Sequence, residues 1–151
     1  MMNLYGVLKF VHVLSVVLWV GGVAALWITT LRIARGGDYS TVARLLPVGM
    51  TYGQRVVGPT SGLVLITGVW MAIANHLWSQ PFIGIGIVGI LLHFILGATV
   101  VRKSWTRMGE LVSAPTRDDA ALAAIVGRVT TVTWVYLAIM IIVIAAMVLK
   151  P

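Results

Sequence analysis

Apolar residues run almost unbroken through four stretches of the chain, about Leu4–Leu31, Val56–Trp78, Phe82–Val101 and Ile125–Leu149, and polar residues collect between them. Each stretch meets or approaches the ~20 apolar residues that a helix needs to cross ~30 Å of hydrocarbon. Lipid offers no water to satisfy backbone amides, so apolar segments of this length are predicted to be helical. Four of them with short links make an all-α integral membrane four-helix up-down bundle, a single transmembrane domain over 1–151. The first stretch is too long for the apolar part of a signal peptide and is expected to be retained as a span.

The polar links carry their own signals. In the segment from Arg32 to Arg55, Asp38 and Ser40 are suited to capping a short amphipathic helix about Thr41–Leu46, with Pro47 as its stop. Spans two and three are joined by a tight turn at Ser79-Gln80-Pro81, and the loop Arg102–Leu122 holds Pro115-Thr116-Arg117-Asp118-Asp119, acidic residues that favour the start of the fourth helix. Trp105 is expected to anchor the interface at the loop end, with Tyr5, Trp78 and Phe82 at the opposite one.

Composition agrees with this pattern and narrows the function. Of 151 residues, 60% are hydrophobic and 10% charged, and the mean hydropathy is +1.01, outside the usual range of soluble domains. Little chain is left for an extramembrane domain, so activity is expected inside the bundle or at its surfaces. The net charge of +7 is spread over short loops instead of a soluble basic face, which excludes nucleic acid as a partner and leaves the lipid bilayer. Nine cations, Arg32, Arg35, Arg44, Arg55, Arg102, Lys103, Arg107, Arg117 and Arg128, fall on the side of the two longer loops, against Lys9 and Lys150 on the other. The positive-inside rule then predicts an inner (cytoplasmic) membrane protein with both longer loops cytoplasmic and both termini outside. The chain has no cysteine, which excludes disulfides, thiolate metal sites and covalent haem attachment.

Two histidines stand inside the spans, where an imidazole is costly and is read as a functional group. His12 is eight residues past Leu4, or ~12 Å down span one, and His93 eleven past Phe82, or ~16 Å down span three. Similar depth on co-directional helices allows a ligand to bridge them. His12 shares a helix face with Tyr5, Lys9, Ser15 and Trp19, running towards Gly22, and this more polar face is expected to point inward. Gly89 and Gly97 stand one turn to either side of His93, leaving gaps beside the imidazole that suit a flat macrocycle. The alternative is a small-residue packing track, with His93 hydrogen-bonded to a neighbouring helix.

Two neutral imidazoles without thiolate suit haem iron, or copper with thioether help from Met140 or Met71. Lys9 is the candidate partner for a haem propionate, ahead of Arg55 and Arg128, which snorkel to headgroups. His76, beside Asn75 and Trp78, reads as a solvated interfacial histidine. Gly58 and Gly62 make a G-x-x-x-G pair beside Pro59, predicting a kink and a close helix contact, within the chain or in a homodimer. All four acidic residues, Asp38, Glu110, Asp118 and Asp119, lie in the loops, and no catalytic constellation is visible.

Leu8-Lys9-Phe10-Val11-His12 followed by Leu18-Trp19-Val20-Gly21-Gly22 resembles the first span of a group of small four-span bacterial membrane proteins. The group comprises the copper-resistance D family, the short membrane-bound protoporphyrinogen oxidases and an uncharacterised predicted integral membrane branch. Its signature is K-x-x-H, a tryptophan seven residues after the histidine and a Gly-Gly pair. Gly62, Gly68, Trp70, Pro81-Phe82 and His93 extend the likeness more loosely. The resemblance implies a four-helix membrane bundle tied to haem b or copper, with His12 in the place of the family's first-span histidine. The oxidases carry a functional lysine near the start of span three, where this chain has Phe82-Ile83-Gly84-Ile85, which sets it nearer the other two branches. The resulting expectation is a haem b-binding protein for electron transfer or haem-linked redox chemistry, with His12 and His93 as ligands. Copper handling and a non-catalytic subunit of a larger membrane complex are the alternatives.

Overall fold

The computed structural model describes residues 4–116 and 118–150; Arg117 of the second loop lies outside them. Four long helices account for nearly all of these residues: α1 Leu4–Arg35, α2 Tyr39–Ala74, α3 Pro81–Val112 and α4 Asp119–Leu149. At ~1.5 Å per residue they reach about 46–54 Å, well beyond the ~30 Å of bilayer hydrocarbon. The excess is helix that the sequence pattern assigned to loops.

The largest correction is at Pro47, which lies inside α2 and does not stop it. Proline in a helix interior costs about 3 kcal/mol, but Val42 and Leu46 on the same segment are buried in a core with Leu31, Ala34, Met108 and Val129. Burial of those side chains outweighs the lost amide, and the Thr51 hydroxyl bonds the Pro47 carbonyl at 2.9 Å. Asp38 does cap this helix, accepting from the Thr41 amide at 3.0 Å and the Ser40 hydroxyl at 2.8 Å. Those bonds, with Thr41's first, hold its carboxyl down at about 2, so it is ionised at physiological pH. Asp118 likewise caps α4 by accepting from the Ala121 amide at 2.9 Å.

Three helices each contain one five-residue π turn, at Val17–Gly21 in α1, Gly53–Val57 in α2 and Gly97–Val101 in α3. In α2 the turn directly precedes Pro59, whose missing amide would break an α-type ladder. The Gly58 amide reaches back to the Gly53 carbonyl instead, and the Thr60 hydroxyl takes the Val56 carbonyl at 2.6 Å. The helix continues past Pro59 by way of a π turn.

The two halves of the bundle pack differently. In the half nearest the two longer loops, α1 meets α2, α2 meets α3, α3 meets α4 and α4 meets α1, closing a ring around the core just named. A second cluster in the middle joins Trp19, Val23, Ile90, Val101, Tyr136, Leu137 and Met140. Nearer the termini, α1 packs along α2 and α3 along α4, but the two pairs scarcely touch each other. Phe82, expected as an interfacial anchor, is buried, with the Lys150 ammonium 5.8 Å from its ring. Trp105 also turns inward, onto Trp27 at 5.6 Å between ring centroids, while Tyr5 and Trp78 are exposed.

Only the second glycine of the Gly21-Gly22 pair is required by packing. A Cβ on Gly22 would lie 1.8 Å from the Tyr52 hydroxyl oxygen, whereas one on Gly21 meets nothing within 4 Å. Tyr52 uses that space to donate its hydroxyl to the Leu18 carbonyl. Gly22→Ala is expected to lower stability by about 1–3 kcal/mol, and Tyr52→Phe by about 1 kcal/mol. The double variant should cost less than the sum, because both changes remove one hydrogen bond; thermal unfolding in detergent measures all three.

Candidate functional site

The two intramembrane histidines have different partners. His12 faces α2, with its Nδ1 2.9 Å from the Thr67 hydroxyl. Thr67 spends its own proton on the Leu63 carbonyl at 2.5 Å, so its oxygen accepts and His12 carries hydrogen on Nδ1. The lone pair is then on Nε2, the nitrogen through which this tautomer can ligate a metal. A Cβ on Gly68 would lie 3.2 Å from His12 Cε1, so this glycine makes room for the ring. The inward face expected on span one holds from His12 through Ser15 and Trp19 to Gly22, whereas Tyr5 and Lys9 are exposed.

His93 sits where three spans meet. Its Nδ1 is hydrogen-bonded to the Tyr136 hydroxyl of α4, and its ring lies edge-on to Trp19 of α1, with centroids 4.1 Å apart. The Trp19 indole donates to the same hydroxyl at 3.4 Å. An indole N–H can only donate, so Tyr136 accepts from Trp19 and has one proton to give. Trp19 Nε1, the Tyr136 hydroxyl and His93 Nδ1 are all satisfied when that proton goes to His93 Nδ1, which places the ring hydrogen on Nε2.

The structure thus brings His93 level with Trp19, which is seven residues, or ~10 Å, along α1 from His12. His12 and His93 are each held by a different neighbour, and no contact joins them among the described residues. The gap expected at Gly89 is filled: a Cβ there would lie 2.3 Å from Val143 Cγ2 of α4. At Gly97 a Cβ meets nothing within 4 Å. Met140 is buried in the middle cluster and Met71 is half-buried. His76 is exposed in the turn after α2, at φ 52°. Arg55 and Arg128 are exposed.

Thr67, Tyr136 and Trp27 are the partners that reading of the residues did not single out. A signal for two of them was present: Thr133 and Tyr136 share a face of the fourth span, as Thr60 and Thr67 do in the second. Trp27 stacks on Tyr136 at 5.3 Å between centroids, which joins the histidine cluster to Trp105.

The family model for a predicted integral membrane protein, DUF2269, matches residues 6–151. The chain belongs to this family. The match fits the uncharacterised predicted integral membrane branch named above. No curated protein and no solved structure matches the chain. For this DUF2269 member, the match runs from before Lys9 past Tyr136, so both histidine neighbourhoods lie within the family region.

Tyr136→Phe would leave the buried Trp19 N–H and His93 Nδ1 without their common partner. It should destabilise the protein by about 1–3 kcal/mol, while Tyr5→Phe, at an exposed ring, should leave the melting temperature unchanged.

Proposed function

We propose that this DUF2269 protein binds haem b through His12 and serves electron transfer or haem-linked redox chemistry in the membrane. The observation that carries this reading is the Leu63–Thr67–His12 hydrogen-bond relay, which puts the His12 ring hydrogen on Nδ1 and its lone pair on Nε2. His12 also lies in the half of the bundle where the α1–α2 and α3–α4 pairs scarcely meet, so a flat group entering between the pairs displaces little packing. Among the described residues no three His, Cys, Asp or Glu side chains converge. A porphyrin brings four nitrogen donors of its own, whereas a bare copper ion would depend on that missing set. The likeness of span one to copper-resistance D proteins adds weight to a metal or haem role for His12.

The residues divide the work unequally. His12 would hold the iron, Thr67 orients the ring, and Lys9, three residues nearer the termini on the same helix, supplies a cation for a propionate. His93 fits a ligand role less well, because binding through Nε2 would force its proton onto Nδ1 and leave Tyr136 without an acceptor. Bound haem would supply one-electron chemistry, and the protein's part is to bind it, orient it and keep it in a water-poor setting. With His12 as the one histidine that would hold the group, Met140, water or another protomer would supply any further partner for it.

Protein purified from haem-replete cells should show a Soret band that disappears in His12→Ala and weakens in Thr67→Val but persists in His93→Ala. Absence of the band overturns the reading. Copper without porphyrin would then select the copper alternative, and a stoichiometric partner without chromophore the accessory-subunit one.

We infer in addition that the loop end faces the cytoplasm of a bacterial inner membrane, on the nine-to-two division of cations between the ends. Because the chain has no cysteine, single introduced cysteines report topology. In intact spheroplasts Ala114→Cys should react only with membrane-permeant thiol reagents, and Ser79→Cys also with impermeant ones; the opposite pattern inverts the topology.

A further inference from the structure

An unbroken series of aromatic rings runs from the loop half of the bundle to its middle. Successive centroid distances are 5.6 Å from Trp105 to Trp27, 5.3 Å from Trp27 to Tyr136, 5.7 Å from Tyr136 to His93 and 4.1 Å from His93 to Trp19. Indole and phenol are the most readily oxidised side chains in a chain that lacks cysteine. Electron tunnelling falls off exponentially with distance, so rings in contact exchange electrons far faster than rings separated by aliphatic packing. The outer end of the series is within reach of the surface, since Trp105 is half-buried and its neighbour Thr106 is exposed.

The inner end has the chemistry of a terminus. Removing an electron from a phenol makes its O–H strongly acidic, and the oxidation is far easier when a base in hydrogen-bond contact takes the proton. Tyr136 has that base in His93 Nδ1, and the Trp19 N–H, which can only donate, orients the phenolic proton towards it. Packing alone would bring the rings together, but it would not require a hydroxyl aimed at an imidazole lone pair in a buried site.

We propose that Tyr136 is a redox-active tyrosine, with His93 as its proton acceptor and Trp27 and Trp105 as its electronic connection to the loop-end surface. In the forward direction a strong one-electron oxidant at that surface takes an electron from Trp105. Trp27 replaces the electron, and Tyr136 in turn replaces that of Trp27. The Tyr136 O–H bond breaks as its proton passes to His93 Nδ1, leaving a neutral tyrosyl radical and an imidazolium, with the oxidant reduced by one electron. Return of one electron and the proton restores the starting state. This relay is independent of the haem reading.

The test uses the full chain in lipid nanodiscs, with a ruthenium polypyridyl complex attached at Thr106→Cys and oxidised to the trivalent state by flash and quench. A tyrosyl radical seen by transient absorption and electron paramagnetic resonance is expected, slower to form in D2O because a proton moves with the electron. Tyr136→Phe should abolish it, although Tyr5, Tyr39 and Tyr52 remain, and Trp27→Phe should slow it by an order of magnitude. The same measurement in labelled His12→Ala, which removes haem under the cofactor reading, separates failure of one proposal from failure of the other. A radical that stays on tryptophan, one that survives Tyr136→Phe, or a rate indifferent to D2O would overturn the assignment. The D2O comparison is made on protein with Tyr136 and His93 intact, so it does not depend on the folding of a variant at either position.

Discussion

One hydroxyl group ties three of the four spans together. Tyr136 on α4 accepts from Trp19 on α1 and is bonded to His93 on α3, amid the apolar cluster at the middle of the bundle. Apolar side chains give helices little reason to prefer one another over lipid tails, so polar groups and close-fitting small residues decide which helices meet and in what rotation. Around this hydroxyl the bundle changes character. Towards the loops it is a closed ring with a continuous core; towards the termini it separates into two pairs, one held by His12 and Thr67 and the other by the fit of Val143 against Gly89.

Immediately loopward of Tyr136 lies a layer that is less well satisfied. Ser104 Oγ, Trp105 Nε1, Thr130 Oγ1 and Thr133 Oγ1 are buried without a hydrogen-bond partner. Hydroxyls elsewhere in the spans behave differently, as Thr30, Thr60, Thr67 and Thr99 all bond a carbonyl one turn back on their own helix. Ser104 lies between Val101 of the middle cluster and Met108 of the loop-half core, on the same face of α3, so this polar layer divides the two cores. Each orphan costs about 1–3 kcal/mol, which offsets part of what the packed half gains from the cores on either side of the layer.

The fold was legible in the sequence because hydropathy and caps are local quantities. The four spans, the Asp38 cap and the acidic start of α4 at Asp118 all follow from residues within one or two turns of each other. Pro47 was misread for the complementary reason: its local preference to end a helix is real, but the burial of Val42 and Leu46 against other helices is tertiary and invisible to a local rule. The same limit applies at the site. His12 and His93 stand out because imidazole is rare in lipid, yet their partners Thr67 and Tyr136 are fifty-five and forty-three residues away. Depth counted along each helix could not show that His93 sits level with Trp19, and nothing nearby in sequence announces that Val143 fills the space at Gly89.

The π turns add a consequence for how this chain tolerates change in length. Each holds one residue more than an α-helical turn would and absorbs it locally, so the helix on either side keeps nearly the phase of an uninterrupted α-helix. Loss of one residue at Val17–Gly21 would let the α ladder close with little rotation of the helix before it relative to the helix after it, whereas loss of one residue from a regular α stretch would rotate the two parts by about 100°. His12 and Thr67 lie before that turn in the assembly, and Trp27 and the loop-half ring after it. The turns are therefore the places in the spans where a single-residue deletion is absorbed, while a deletion elsewhere between His12 and Trp27 would put the histidine out of step with the tryptophan.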